Sequence, residues 1–458
     1  VIVCEKSHQV GGTGATSAGT LWIPENTQSK AAGYDDSVLK AEKYLDSLLG
    51  HDGNKELRQA YLESGPKVID YLMDRTEVKF SPCGIHPDYR SNVAGAAIDG
   101  RAIIADQFDG RKLGKDFKRI RPPIEEFMLF GGMMVGKNDI TRLINRYKSL
   151  TCFAYSASIF IRYLLDRIWH KRGTRLTMGN ALVARLFFSL RQQMVPVLFE
   201  SPVIELVYKQ DRVIGAVVET KNGRHRIQAR KGVVFATGGF AHNEVFRENL
   251  MPKPIPPYSL ATSSNTGDGL RIGESIGAKI DNPPHKRSAF WTPVSITRQK
   301  DGSTGLFPHI LLDRAKPGLI AVNSGGHRFV NEAVSYHDFV EAMYHSHDTV
   351  NTMPAWLICD STFVRKYGIG TIYPGTKYLK KFAEIGYATI SNTIDELAKT
   401  LGINQKELKN TIKRHNEFAK TGIDSDFGKG DLELNRFNGD VDNRPNPCLG
   451  PIESPPFV

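Results

Sequence analysis

The chain has 458 residues, 40% of them hydrophobic and 24% charged, with 60 Lys and Arg against 49 Asp and Glu for a net charge of +11. These proportions are ordinary for a globular protein, the length favours two domains over one, and no run reaches the ~18 uncharged apolar residues of a spanning helix. The five cysteines, Cys4, Cys83, Cys152, Cys359 and Cys448, are scattered and odd in number, which argues against a disulfide framework and for a reducing, cytoplasmic setting.

The first segment is an apolar run, Val1 to Cys4, closed by Glu5 and Lys6 and followed by Gly11-Gly12-Thr13-Gly14-Ala15-Thr16-Ser17-Ala18-Gly19. In a dinucleotide-binding βαβ unit an acid closes the second strand and holds the ribose hydroxyls. The G-x-G-x-x-G turn stands ~20 or more residues before that acid. The chain therefore starts at the second strand of such a unit, or Glu5 is a coincidence.

Residues 36–49 and 57–73 place apolar side chains at helical spacing. Residues 80–125 are rich in Pro and Gly and read as irregular. Residues 142–175 carry eight Lys and Arg against one acid, Asp166, with apolar and aromatic residues interleaved. That pattern fits a helix whose basic face lies on a membrane surface. More simply, it fits an amphipathic helix packed on its own domain with a solvated basic rim. Nucleic-acid binding has no motif behind it.

Thr177-Met178-Gly179-Asn180 opens a further helix at a small-residue turn. Strands are expected over 196–208, 212–219 and 224–236, the last ending in Val233-Val234-Phe235, with Lys221-Asn222-Gly223 as a hairpin signal. A charged helix pair covers 394–419, and Gly- and Pro-rich coil runs to the end.

Later glycine motifs change the weight of the opening segment. They are Ala236-Thr237-Gly238-Gly239, Thr266-Gly267-Asp268-Gly269 and Gly325-Gly326-His327-Arg328-Phe329-Val330-Asn331-Glu332, followed by Tyr336. In this order, and over nearly the whole chain, they resemble the FAD-binding 2 family of fumarate reductase flavoproteins and 3-ketosteroid dehydrogenases. Trp22-Ile23-Pro24, the Arg328 to Glu332 run with Tyr336, and the stretch from Asp426 to Asn446-Pro-Cys-Leu-Gly-Pro look most like the 3-ketosteroid dehydrogenase branch.

The resemblance implies an α/β fold: a Rossmann-like FAD-binding domain over 1–283, an inserted α+β substrate domain over 284–446, and a return to the first domain beginning at 447–458. It implies that the glycine turn at the front and a flavin-closing segment at the back are missing, so that the chain as it stands binds FAD poorly.

Each residue carries a chemical expectation beside a plainer one. Glu5 accepts from the ribose, since a carboxylate can take two hydrogen bonds; the alternative is a solvated strand end. Gly11, Gly12, Thr13, Ala15, Thr16, Ser17 and Gly19, with Lys6 beside them, pass under the pyrophosphate and the flavin edge, using small residues for close approach. The resemblance adds Val203 at the adenine, Ala236, Thr237 and Gly238 near the nucleotide, and Asp268 beside the flavin. Asp268 is also a natural N-cap for a helix running to Gly277. Phe290 and Trp291 could line a substrate pocket and Trp22 could back the flavin, or all three are core.

By the same resemblance Tyr336 is the base that takes the α proton while flavin N5 takes hydride from the β carbon, and Tyr89 is its helper. A phenol, with a reference pKa ~10, needs activation for that task. The implied substrate is a 3-ketosteroid or similar apolar cyclic ketone, the electron acceptor a quinone or other acceptor, and peripheral membrane contact is possible. The competing readings are a fumarate reductase-like dicarboxylate enzyme, for which Arg328 is available, and an inactive truncated paralogue. No metal is expected: His345 and His347 lack partners at ligand spacing.

Overall fold

The computed structural model describes residues 1–458 apart from 51, 281–290, 300, 301 and 311, with backbone only for 137 and 138. The expected domain change near residue 284 and the expected pocket residue Phe290 lie outside the described residues.

Val3–Cys4 pairs in parallel with Val197–Leu198, Val3 opposite Val197 and Cys4 opposite Leu198. Glu5 closes the first strand, its amide donating to the Leu198 carbonyl at 2.8 Å. Ligands of α/β proteins gather at such carboxyl ends of parallel strands.

The single strand expected over 196–208 is two strands, Val197–Leu198 and Val203–Lys209. Between them Glu200 adopts a φ of 53°, and Pro202 has no N–H to continue a ladder. The break lets the chain leave the parallel pair and enter an antiparallel sheet with Arg212–Thr220 and Gly223–Gln228. The hairpin expected at Lys221-Asn222-Gly223 is present, Thr220 opposite Gly223.

The strand expected at Val233–Phe235 is absent, and Val234 is 90% exposed. An apolar run becomes a strand only where a neighbour satisfies its amides, and no strand among the described residues pairs with it. The region 80–125, read as irregular, contains the strands Phe80–Pro82 and Ala102–Ala105, which form one sheet with Thr20–Trp22. The reason is buried apolar surface that outweighs the local Pro and Gly: Phe80, Ile103 and Ala105 share a core with Ile23, Ile69 and Val78.

The helices Val38–Leu49, Lys55–Arg75 and Met178–Gln192 stand close to their expected places. The last of these buries Ala181, Ala184 and Phe187 against Phe108, Phe117 and Leu176. Farther along, Leu319–Val322 pairs antiparallel with Trp356–Cys359 under the helices Ile394–Leu401 and Gln405–Thr421. Residues 447–458, expected to start a return, lie on this same core: Ile452 and Phe457 belong to it, and Val458 exchanges backbone hydrogen bonds with Cys359. The result is an α/β fold, as the sequence leads one to expect.

Candidate active site

The glycine segment folds as a short helix, Gly12–Thr16, with Gly11 at its N-cap at a φ of 105°. Its back leans on the start of the Met178–Gln192 helix. A Cβ on Gly19 would lie 2.3 Å from the Gly179 nitrogen, and one on Gly179 would lie 2.1 Å from the Gly14 carbonyl oxygen. Glycine is therefore needed for backbone to cross backbone at this point. Asn180, wholly buried, locks the crossing: its side-chain amide donates to the carbonyls of Ala15 at 3.1 Å and Arg121 at 2.7 Å. Ser17 Oγ donates to the Gly14 carbonyl and Thr16 Oγ1 to that of Thr13.

The open side of the segment suits an anionic cofactor. The amides of Gly12, Thr13 and Gly14 meet no acceptor among the described residues, and a Cβ on Gly14 would meet nothing within 4 Å. Glu5 accepts the Ser7 amide at 2.7 Å through Oε1, leaving Oε2 for a ligand. Burial raises its carboxyl above the ordinary value, while the Ser7 amide, Arg121 and Lys6 pull the other way. Arg121 donates to Ser7 Oγ at 3.0 Å, but its Nε is buried without a protein partner. A buried orphan donor beside a half-used carboxylate fits a polar ligand carrying hydroxyls and phosphates.

Several expected residues converge here. Lys6 Nζ donates to Asp268 Oδ2 at 2.7 Å, to the Ser264 carbonyl at 3.3 Å and to Thr266 Oγ1. Thr13 Oγ1 accepts from the Thr262 amide and the Asn265 side chain, both at 3.2 Å. The Thr237–Gly238 turn abuts the same loop, Gly238 against Asn265 and Thr237 against Gly269. Ala236 precedes that turn. Val203 opens its strand two residues beyond Ser201, whose amide donates to the Glu5 carbonyl. Asp268 is the first helical residue of Asp268–Glu274 and the N-cap is Gly267, so the capping role expected of Asp268, and the run to Gly277, are corrected. Its carboxylate turns to Lys6 and Thr266 instead.

From Gly19 the strand Thr20–Trp22 leads straight to the tyrosines. Trp22 Nε1 donates to Asp88 Oδ1 at 2.7 Å, and Tyr89 is the next residue. The loop is held by Arg101, 1% exposed, which binds both oxygens of Asp36 and donates to Asp88 Oδ2 at 2.7 Å. The Arg101 guanidinium also faces the rings of Trp22 and Tyr44. Trp22 thus braces the Tyr89 loop.

Tyr336 begins the helix Tyr336–His347, whose N-cap Ser335 accepts the Asp338 amide through its hydroxyl. Tyr89 meets Tyr336 edge on, ring centroids 5.9 Å apart. Burial first, then the charge and hydrogen bond of Tyr336, hold the Tyr89 hydroxyl well above the ordinary phenol value. Arg90 clamps the two pieces together, donating to Asp338 Oδ1 at 2.9 and 2.5 Å.

Arg328 is not free to act on a substrate. Its guanidinium binds both oxygens of Glu332 and of Asp424 at 2.8–3.1 Å and is 8% exposed overall. Trp291 packs on Tyr344 and donates to its hydroxyl at 3.0 Å, which is core packing. His347 Nδ1 accepts the Thr352 amide at 3.2 Å. One group, His337, Asp338 and Glu341, brings its ligand-type atoms within 4.8 Å of one another; its two carboxylates already face Arg90. Sequence reading missed Asn180, Arg121, Asn265 and Arg101. Only Asn180 carried a signal, inside the small-residue turn that opens its helix.

A family described as an FAD binding domain matches residues 1–457. The chain belongs to it. It is an FAD-dependent oxidoreductase, a flavoprotein of α/β fold, and the front of the site is where its residues fit the cofactor. The chain is 33% identical to the 4-oxocyclohex-2-ene-1-carboxylate 5-dehydrogenase of Sinomonas cyclohexanicum, over 100% of this chain and 77% of that protein. It is 32% identical to the 3-oxosteroid 1-dehydrogenase of Mycolicibacterium smegmatis, over 100% and 80%. Its structure is similar, at a TM-score of 0.87 and 31% identity, to the 3-ketosteroid delta1-dehydrogenase of Sterolibacterium denitrificans in complex with 1,4-androstadiene-3,17-dione, covering 100% of this chain and 82% of that one.

Proposed function

We propose that this flavoprotein desaturates the carbon–carbon bond next to the ketone of a 3-ketosteroid or similar cyclic ketone, the 1,2-bond in a steroid. The reading is carried by the Tyr89–Tyr336 contact, which supplies a base and a partner for it. The named dehydrogenases to which the chain is similar, one of them of a small cyclic ketone, support the substrate class.

In this reading the Tyr336 phenolate oxygen takes the proton from the carbon next to the ketone and becomes the neutral phenol, the electron pair passing to the ketone as an enolate. Tyr89, held protonated, donates to Tyr336 and steadies its phenolate before the proton is taken. Arg90 keeps the helix start and the Tyr89 loop in register through Asp338. Glu5 holds a ribose hydroxyl, and the Gly12–Thr16 segment offers its amides to phosphate oxygens. FAD, when bound, supplies the hydride acceptor for the β carbon. Apart from Tyr89 and Arg90, the residues up to 283 serve the cofactor and those of 284–446 the substrate, and a quinone or other acceptor, with peripheral membrane contact, completes the electron path.

The fumarate reductase reading needs a free arginine as acid, and the pairing of Arg328 speaks against that residue. The deciding assay is dye reduction by the flavin-loaded protein with a 3-ketosteroid and with a small cyclic 4-oxo acid, product absorbance reporting the new double bond. Reduction with either ketone supports the reading; reduction with neither removes it.

A further inference from the structure

The helix Leu150–Trp169 is apolar on its outside. Its buried side carries Ser156, Ile159, Tyr163 and Asp166. These four fall on one arc at 100° per residue. The opposite arc carries Leu150, Phe153, Ile161, Leu164, Leu165 and Ile168, each between 50% and 87% exposed. Single exposed aliphatics are normal; a continuous stripe along a 20-residue helix marks a binding surface. Aromatic residues stand at both ends of the stripe, Tyr147 at 82% and Trp169 at 84% exposure. The helix thus packs on its own domain through Ile159 and Tyr163 and keeps a solvated basic rim, but most of its apolar side chains face outward.

Charge identifies what covers the stripe. Asp166, the one acid between 142 and 175, turns inward, its Oδ2 accepting from the Thr174 amide and hydroxyl at 2.8 Å each. Arg142, Arg146, Lys148, Arg167 and Lys171 are exposed around the stripe. A second copy docked isologously would set these cations against their own equivalents. A surface with an apolar interior and anionic groups at its boundary meets both features. Crossing a bilayer is not the mode: among the described residues no helix is long and apolar enough.

We propose that this face seats the protein on a bilayer containing anionic phospholipid, the stripe entering the boundary between headgroups and acyl chains and the cations meeting the phosphates. It rests on the dehydrogenase reading for its purpose, because a bilayer is where an apolar ketone and a quinone concentrate.

The experiment is co-sedimentation of the purified protein with phosphatidylcholine vesicles, with and without phosphatidylserine, at low and raised salt. The protein pellets with the serine-containing vesicles at low salt, and raised salt releases part of it. The double variant Leu164→Glu, Ile168→Glu loses at least about ten-fold in vesicle affinity, because its two aliphatic anchors become charges. Its circular dichroism and its turnover of a small soluble ketone stay at wild-type level. Absence of pelleting with phosphatidylserine, equal pelleting of the double variant, or a wild-type dimer in sedimentation velocity that the double variant splits would overturn the proposal. Turnover of the soluble ketone is read separately, so loss of the lipid surface and loss of the dehydrogenase reading are distinguishable.

Discussion

Tyr89 and Tyr336 meet edge to face, their ring planes 78° apart. The contact joins a loop from the first quarter of the chain to the first turn of a helix far downstream, and Arg90 beside Tyr89 ties the same helix through Asp338. Burial first, then Tyr336, hold the Tyr89 phenol well above its ordinary value, and Tyr336 opens the helix Tyr336–His347.

Removing only the hydroxyl of Tyr336 isolates its chemistry. Tyr336→Phe keeps the ring contact, so fold and flavin content stay unchanged. Steroid dehydrogenation falls by about 10²- to 10⁴-fold, the usual cost of losing a positioned general base. Steady-state dye reduction together with the flavin absorbance of the same sample checks both halves.

Tyr89→Phe acts through pH. A donated O–H favours the charged form of its partner, so without it the phenolate needed for proton removal forms less readily. The acid limb of the kcat/KM profile therefore moves to higher pH in the variant, and turnover is partly rescued by raising the pH. An unchanged profile would leave Tyr89 a packing residue.

Glu5→Gln tests the cofactor end. It removes a charged acceptor and leaves the Arg121 orphan uncompensated. Hydrogen bonds to a charged group are worth about 1.5–3 kcal/mol, so flavin release on dialysis of the loaded protein increases about ten- to a hundred-fold. The Tyr336 chemistry of the fraction still loaded is unaltered, which separates retention from catalysis.

Two buried groups below Arg328 set an acid limit on stability. Glu332, fully buried between Arg328 and Lys429, has its carboxyl held well below the usual range despite its burial. Its contribution is complete above its unfolded value and is lost as pH falls through the folded one. Burial pushes His415 down to about 4, helped by Lys429 and Arg328. The unfolded chain binds that proton from about pH 6.5, so stability due to the neutral imidazole is lost as pH falls from there towards about 4. Urea midpoints therefore fall between neutral and mildly acid pH, and His415→Gln flattens that slope. Glu332→Gln costs about 3–5 kcal/mol at neutral pH, the usual result of leaving buried cations without their partner.

The parts of this architecture that could be read from sequence are those written locally. Glu5 at the end of an apolar run, the ordered glycine turns and the helical periodicity of 38–49 each depend on neighbours in the chain. What escaped depends on distance. Asn180 and Arg121 act on a loop that begins the chain, and the Arg101 bonds to Asp36 and Asp88 bring together three charges with no shared spacing. The Phe80 and Ala102–Ala105 strands formed in a Pro- and Gly-rich region because their side chains reach a core assembled from Ile23 and Ile69. Val233–Phe235 erred the other way, a good strand pattern without a pairing neighbour. Outward apolar positions in Leu150–Trp169 look like core positions until the packed face is known.

On the proposed reading, Tyr336 is the base that makes this flavoprotein a dehydrogenase of cyclic ketones. Anaerobic mixing of the flavin-loaded protein with a 3-ketosteroid, followed by the flavin absorbance, tests it most directly, with fumarate added in parallel to chemically reduced protein. The expected result is rapid bleaching by the ketone in the wild type, bleaching slowed by about 10²-fold or more in Tyr336→Phe, and no reoxidation by fumarate. Equal bleaching in both proteins, or reoxidation by fumarate without any bleaching by the ketone, would contradict it.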